Sequence, residues 1–354
     1  MTPSLSFISN SREWKTIGAV LALLLGIWAM ICHLPGASIK VVSSRLGKSI
    51  EIFRSYLGGP TNSLHSAVVF FGNSRFQSCI DPGRFEARLG VPNLKCVNLA
   101  QPSMSPWEYD VLLKEAQLDL RPVKLAFVQM DPWMFNQNEL NPTTHKPVSY
   151  PHEFEVFSSM RERLFIPGWN NKVRLMLNTI PRYSLADIAS ALTYCRHGAN
   201  RPPVPYEPPA YHTDPKIAAL QRADPDFFPQ NISRMHMNDY QFSRYWQNTL
   251  ERLLSRLAHA NIPVIFIHPP VKREYYRYVE CDSHRQAEYN RLLAYMADLA
   301  RRYPFLDYKT PPDCGLDDQA FIDYGHFTKT GCIAFTDLVY ESLQDPLARC
   351  LGPD

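Results

Sequence analysis

The chain has 354 residues, a hydrophobic content of 45% and a formal net charge of +3. This length allows one large domain or two small ones, and the apolar fraction is sufficient for a substantial core. Acidic and basic residues are interspersed, without a basic stripe interleaved with aromatic residues, so the sequence argues against a nucleic-acid-binding protein. The 30 prolines indicate many loops and argue against a helical bundle.

The first predicted element is a membrane-spanning helix over residues 16–34. Residues 17–34 contain no Asp, Glu, Lys or Arg, which is close to the length needed to cross a bilayer. A cleaved signal peptide or a buried soluble helix is the alternative, although Pro35-Gly36-Ala37 is a poor cleavage site. Basic residues flank both ends, but long downstream domains are exported largely regardless of such charges. We therefore expect a short cytoplasmic segment, residues 1–15, and a single-pass membrane protein with an extracytoplasmic domain.

A helical stalk over residues 35–62 is predicted to join this span to one domain over residues 63–354. Within the stalk, apolar residues recur at spacings of three or four between positions 38 and 58, which is typical of an amphipathic helix. The pattern ends at Gly58-Gly59-Pro60.

Beyond residue 63, short apolar runs alternate with helical patterns, which predicts an α/β fold with a central parallel sheet covered on both faces. The predicted strands are Val68–Phe71, Lys95–Leu99, Val123–Met130, Pro263–His268 and Phe305–Tyr308. The predicted helices are Pro106–Leu118, Phe242–Ala260, Ser283–Arg302 and one from Thr328 to about Leu343.

Residues 137–240 interrupt this alternation, because they show no clear strand pattern and have six prolines between positions 202 and 215. So long a segment inside a compact α/β domain is typical of an insertion. It is either a lid over the strand ends or a loop that covers surface.

Ser74 follows the first predicted strand, in the turn Gly72-Asn73-Ser74-Arg75. Chemistry in open α/β sheets lies at the carboxyl ends of strands, so Ser74 is a candidate nucleophile near backbone amides that bind an oxyanion. Gly72 would allow the backbone a close approach there. The alternative interpretation is that Ser74 caps the following helix, which the segment taken alone favours.

A candidate base lies near the other end of the chain, in Asp323-Tyr324-Gly325-His326. An aspartate three residues before a histidine can bind one imidazole nitrogen and leave the other to accept a proton from a hydroxyl. His268, at the end of the fourth predicted strand, is either structural or a reserve base.

Two further turns are predicted at the same edge of the sheet. Ser103 lies in the Pro- and Ser-rich turn after the second strand, which could supply an oxyanion amide or be an ordinary loop. Asp131 follows the third strand and would either orient substrate or accept hydrogen bonds from loop amides. The histidines are scattered and no cysteines form a C-x-x-C pair, so no metal or cofactor is expected.

These motifs, in this order, resemble the SGNH-hydrolase superfamily. Gly72-Asn73-Ser74-Arg75 matches its serine block, and Asp323-Tyr324-Gly325-His326 matches its terminal D-x-x-H block. The resemblance implies a flavodoxin-like three-layer sandwich with Ser74 as nucleophile, His326 as general base and acid, and Asp323 as the residue that orients His326.

The chain departs from that family where Ser103 and Asp131 replace the usual Gly and Asn of the oxyanion hole. With its single anchor it is more similar to a membrane-anchored cell-envelope branch, which includes alginate O-acetyltransferase and teichoic-acid D-alanyl-transfer proteins. This branch works beside multi-spanning membrane O-acyltransferases. The resemblance therefore implies a serine acyltransferase or esterase that acts on a cell-envelope polysaccharide or polymer. The alternatives are a non-catalytic scaffold of the same fold and a sugar-binding envelope protein.

Overall fold

The computed structural model describes residues 66–102, 104–106, 120–138, 227–237 and 239–351, together with a few isolated positions. The isolated positions are Gly26, Ser49, Ile52, Phe53, Tyr56, Tyr109, Asp110 and Leu113. Nearly all of the predicted span, most of the predicted stalk and most of the predicted insertion lie outside the described residues. Among the residues that are described, no helix combines the length and apolarity needed to cross a bilayer.

The described residues form a five-stranded sheet in the order β2-β1-β3-β4-β5, and every neighbouring pair of strands is parallel. This confirms the predicted α/β fold with a central parallel sheet, and the strand order is that of flavodoxin-like folds. The strands are β1 Ser66–Phe71, β2 Leu94–Asn98, β3 Val123–Gln129, β4 Val264–His268 and β5 Phe305–Asp307.

Continuous apolar runs form the central strands because both faces of the sheet are buried. In β1, Ala67, Val69 and Phe71 point into one hydrophobic cluster, whereas Val68 and Phe70 point into the other. On the second face the Phe70 ring stacks on Phe127 of β3, with centroids 4.8 Å apart. Burying such side chains stabilises the fold by roughly 1.5–3 kcal/mol each.

Helices cover both faces of the sheet. Numbered within the described residues, they are α1 Ser74–Cys79, α2 Pro82–Leu89, α3 Phe227–His236, α4 Arg244–His259, α5 Glu274–Glu280, α6 Ser283–Arg302, α7 Lys329–Ser342 and α8 Gln344–Leu351. Helices α4, α6 and α7 lie within two residues of their predicted bounds, and polar side chains cap them at Ser243, Asp282 and Thr328.

The isolated positions 49, 52, 53 and 56 are helical and fall in the segment predicted as a stalk. Ile52 and Phe53 are buried in the same hydrophobic cluster as Val69 and Phe71. The Ser49 hydroxyl donates a 3.0 Å hydrogen bond to the carbonyl of Leu99, just after β2. At least these positions of the segment therefore pack on the α/β domain.

Strand β1 marks the point where the order of the strands reverses, with β2 on one side and β3 on the other. Ligands in open α/β sheets bind in the crevice that such a reversal opens at the carboxyl ends of the strands. The turn that follows Phe71 lies at this crevice and begins with Gly72.

Candidate active site

The turn after β1 places Ser74 at the start of α1 but does not use it as the helix cap. Asn73 is the cap, because its side-chain oxygen accepts a 2.8 Å hydrogen bond from the Arg75 amide. The interpretation of Ser74 as a cap is therefore wrong, and its hydroxyl is left for other partners. Gly72 is buried, and a β-carbon on it would overlap the Phe76 side chain. A glycine is thus needed for the turn to pack against α1.

Ser74, His326 and Asp323 form a hydrogen-bonded series. His326 Nε2 lies 2.8 Å from Ser74 Oγ, and His326 Nδ1 lies 2.8 Å from Asp323 Oδ2. The His326 side chain is 27% exposed and that of Asp323 is 13% exposed. With Asp323 accepting from Nδ1–H, the lone pair on Nε2 faces the serine hydroxyl, which is the tautomer that a general base requires.

The loop that carries these residues holds the carboxylate in place. Asp323 Oδ1 accepts hydrogen bonds from the amides of Gly325, at 3.0 Å, and His326, at 2.9 Å. Burial raises the pKa of Asp323, but the adjacent His326 and these hydrogen bonds outweigh it and leave the pKa below its ordinary value. Asp323 is therefore an anion that can stabilise an imidazolium.

The same loop is fixed against the nucleophile helix. The Phe327 amide donates a 3.2 Å hydrogen bond to Ser78 Oγ, and the Ser78 hydroxyl donates to the Arg75 carbonyl at 2.8 Å. On its other side, the Lys272 amide donates to the Tyr324 carbonyl at 2.8 Å. These contacts hold His326 at a set distance from α1, although 252 positions separate it from Ser74 in sequence.

Asp131 is buried next to the site, and its carboxylate binds protein side chains. Its Oδ2 forms a buried ion pair with Arg75 Nη2 and accepts hydrogen bonds from Asn73 Nδ2, at 3.2 Å, and Gln129 Nε2, at 3.3 Å. Gln129 Oε1 in turn accepts a 2.7 Å hydrogen bond from the Asn73 amide. The partners of Asp131 are thus side chains, whereas substrate or loop amides were predicted. This network anchors the turn that presents Ser74.

Arg75 is a structural residue of the site that the sequence pattern did not reveal. It is 1% exposed, and its guanidinium passes beside Gly325 of the His326 loop. A β-carbon on Gly325 would lie 2.7 Å from Arg75 Cδ, so glycine is needed where the two segments meet. Burial lowers the pKa of Arg75, but Asp131 and three neighbouring tyrosine hydroxyls raise it above its ordinary value.

The other predicted site residues have different positions. His268 is 1% exposed; its Nδ1 lies 2.7 Å from Asp307 Oδ1 and its Nε2 lies 3.1 Å from the Tyr276 hydroxyl. Both of its nitrogens are therefore engaged by protein groups, and His326 is the histidine that contacts Ser74. Ser103 lies outside the described residues.

The comparison with protein families concerns the C-terminal part of the chain. Residues 229–344 match the model of the family described as DltD protein. DltD is a cell-envelope family of D-alanine transfer in teichoic acid biosynthesis. The match covers less than half of the chain and includes Asp323 and His326, whereas Ser74 precedes it. No curated protein matches the chain.

The DltD match concerns the same part of the fold that carries the histidine and its carboxylate. It supports a likeness to the teichoic-acid branch of cell-envelope proteins and gives no specific link to alginate acetylation. Within the described residues, no disulfide joins the cysteines Cys79, Cys96, Cys281, Cys314, Cys332 and Cys350. Within the described residues, no cluster of three or more metal-binding side chains occurs.

Proposed function

We propose that this protein is a serine-dependent acyltransferase or esterase that modifies a cell-envelope polymer. The observation that carries the proposal is the 2.8 Å separation between Ser74 Oγ and His326 Nε2, with Asp323 on the opposite imidazole nitrogen. The DltD match favours a teichoic-acid-like polymer as acceptor and an alanyl-type acyl group. Transfer of a small acyl group to a polymer hydroxyl forms an ester, and an activated serine is suited to this reaction.

In the proposed reaction, Ser74 Oγ attacks the acyl carbonyl while His326 Nε2 takes the hydroxyl proton. The tetrahedral intermediate collapses, the leaving group accepts that proton from His326, and the acyl group remains esterified to Ser74. An acceptor hydroxyl then gives its proton to His326 and attacks the ester, which restores Ser74. Water in place of the acceptor yields hydrolysis. Throughout, anionic Asp323 stabilises the imidazolium.

One backbone group among the described residues can begin an oxyanion site. The Ser74 amide lies in the first turn of α1, where backbone N–H groups have no acceptor within the helix. Such an amide, next to the nucleophile, is a suitable donor to the developing oxyanion. Asp131, which replaces the usual Asn of the oxyanion hole, is a buried carboxylate paired with Arg75 and cannot donate.

We further propose that residues 16–34 anchor the protein in the membrane and that the α/β domain faces the outside of the cytoplasm. The uncharged run over residues 17–34 supports the anchor. In this arrangement a multi-spanning membrane O-acyltransferase is the partner that delivers the acyl group. Fractionation tests the anchor: release of the full chain by carbonate without detergent would refute it.

The buried pairing of Asp131 with Arg75 favours one other function, a scaffold of the same fold without covalent chemistry. Such a protein would support a membrane acyltransferase through binding alone. The two functions differ in what they require of Ser74, since only the enzyme needs its hydroxyl.

The test is complementation of a deletion strain with the wild type, Ser74→Ala and a matched control, Ser255→Ala. Ser255 is an exposed serine of α4, outside the candidate site. The enzyme predicts that acyl groups bound to the envelope polymer disappear only with Ser74→Ala, at equal protein level in the membrane fraction. Normal acylation by Ser74→Ala would reject the enzyme and leave the scaffold.

A further inference from the structure

His236, the last residue of α3, lies in the wall next to the candidate triad. Its ring stacks on Trp133, with centroids 5.2 Å apart and planes 28° apart. It meets Tyr324 edge-on at 6.1 Å, and Tyr324 contacts the His326 ring at 5.8 Å. Tyr324 lies between Asp323 and His326 in sequence, so His236 packs directly against the loop that carries the base.

The hydrogen bonds of His236 fix the position of its proton. His236 Nδ1 lies 3.0 Å from the Tyr275 hydroxyl, and within the described residues that hydroxyl has no other hydrogen-bond partner. Tyr275 is fully buried, and a buried hydroxyl donates its proton where an acceptor is present. With the Tyr275 hydroxyl donating to Nδ1, a neutral His236 carries its own proton on Nε2.

His236 is neutral at physiological pH. Burial, together with the neighbouring Arg75 and His326, lowers the pKa of His236 to about 3. The side chain remains 7% exposed, and Nε2 has no partner among the described residues. It is thus a hydrogen-bond donor without an acceptor in the described protein.

Several donors among the described residues at this edge of the sheet are bound to protein groups or buried. The Asn73 amide is bound to Gln129 Oε1, and Asn73 Nδ2 to Asp131. Arg75 Nε and Nη1 have no partner in the described part of the chain, but both atoms are buried behind the turn. Among the described residues, the Ser74 amide and His236 Nε2–H are two donors that these protein contacts leave for a substrate.

We propose that His236 is a further catalytic residue, whose Nε2–H donates a hydrogen bond to the carbonyl oxygen of the acyl group attacked by Ser74. This rests on the proposed serine mechanism and supplies the donor that Asp131 does not. A neutral donor suits the reaction, because His326 becomes an imidazolium as the oxyanion forms and a second cation would repel it. Neutral histidine acts in this way as an electrophile in other enzymes.

The test compares His236→Gln with His236→Met in the full-length protein, with an activated acetyl ester as probe. Gln and Met have similar length, but only Gln keeps an N–H near the position of Nε2. At equal thermal stability, we expect kcat of the Met variant to be about 10²- to 10³-fold below that of the wild type, with KM little changed. The Gln variant should recover a measurable part of that loss.

His236→Phe and Tyr275→Phe complete the experiment. Phe at 236 keeps the ring that packs on Trp133 and Tyr324 but has no N–H, so it should be as impaired as Met. Phe at 275 removes the hydrogen bond that fixes the tautomer and should lower kcat by a smaller factor. Equal kcat in the Gln and Met variants, or a wild-type kcat in His236→Phe, would overturn the inference while the triad stood. A folded wild type without any turnover would overturn the serine mechanism and this inference together.

Discussion

Asn73 caps α1 through its hydrogen bond to the Arg75 amide, and this leaves the adjacent Ser74 hydroxyl 2.8 Å from His326 Nε2. Because Asn73 is the helix cap and Ser74 the candidate nucleophile, the two roles can be studied by separate mutations. A serine that caps a helix and also reacts would confound stability with activity. Here the cap and the candidate nucleophile are different side chains, so their effects are separable.

Ser74→Ala should leave the fold intact and remove the activity. Because Asn73 is the cap, the substitution avoids the loss of about 1 kcal/mol that follows from removing a cap. Turnover of an acetyl ester should fall by about 10³-fold or more, since the described residues offer no second nucleophile bonded to His326. Asn73→Ala, in contrast, removes the cap and should cost about 1 kcal/mol or more of stability. Urea unfolding and steady-state kinetics of both variants check this, and a strongly destabilised Ser74→Ala would contradict it.

Asp323→Asn should impair turnover through the tautomer of His326. The asparagine oxygen can retain the two backbone hydrogen bonds that Asp323 Oδ1 accepts from Gly325 and His326. The NH₂ group of the asparagine then faces His326 Nδ1, which must accept a hydrogen bond from it. The imidazole proton therefore moves to Nε2, and Nε2 can no longer receive the serine proton. We expect kcat to fall by about 10⁴-fold with little change in thermal stability. A kcat within about tenfold of the wild type would show that His326 does not act as the base.

Arg75→Met should destabilise the fold, because it leaves the Asp131 carboxylate buried without its partner. Breaking a buried ion pair from one side typically costs about 3–5 kcal/mol. The double variant Arg75→Met/Asp131→Asn removes both charges and should be more stable than Arg75→Met alone. Urea unfolding of Arg75→Met, Asp131→Asn and the double variant measures the coupling energy between the two residues. Additive losses would contradict a functional pair between the two residues.

The stability of the fold should depend on His236 at acid pH. His236 is neutral in the folded protein above pH about 3, whereas in the unfolded chain it takes up a proton below pH about 6.5. The unfolded state is therefore favoured as the pH falls between these values, by up to about 1.4 kcal/mol per pH unit. His236→Phe removes this contribution. Asp323 is present in both proteins, so its own effect on the pH dependence of stability cancels in the comparison. Free energies of unfolding measured from pH 7 downward should diverge between wild type and variant; parallel curves would contradict a buried neutral His236.

The central strands were predictable because their signals are local. Strands β1, β3 and β4 each contain a run of at least four apolar residues, and α6 coincides with its predicted bounds at Ser283 and Arg302. Helix α5 was not predicted, because it has only seven residues and its buried tyrosines lack a clear helical period. The order of the strands could not be read from any single segment either, since it depends on which strands pair in space.

The candidate triad was also readable from local patterns, a serine after a buried strand and an aspartate three residues before a histidine. The residues that support the triad could not be identified from local patterns. Arg75 acquires its role from Asp131, 56 positions away, and His236 from Tyr275, 39 positions away. Arginine is almost never fully buried without a partner, but the burial of Arg75 is visible only in the structure.

Reaction of the purified full-length protein with a fluorophosphonate tests the serine mechanism most directly. The probe forms a covalent adduct only with a serine that a neighbouring base activates, and peptide mapping identifies the modified residue. We predict one adduct, on the peptide that contains Ser74, whose formation is abolished in Ser74→Ala and strongly slowed in Asp323→Asn, while Ser255→Ala reacts like the wild type. Absence of an adduct on Ser74 in a protein that unfolds cooperatively would contradict the account.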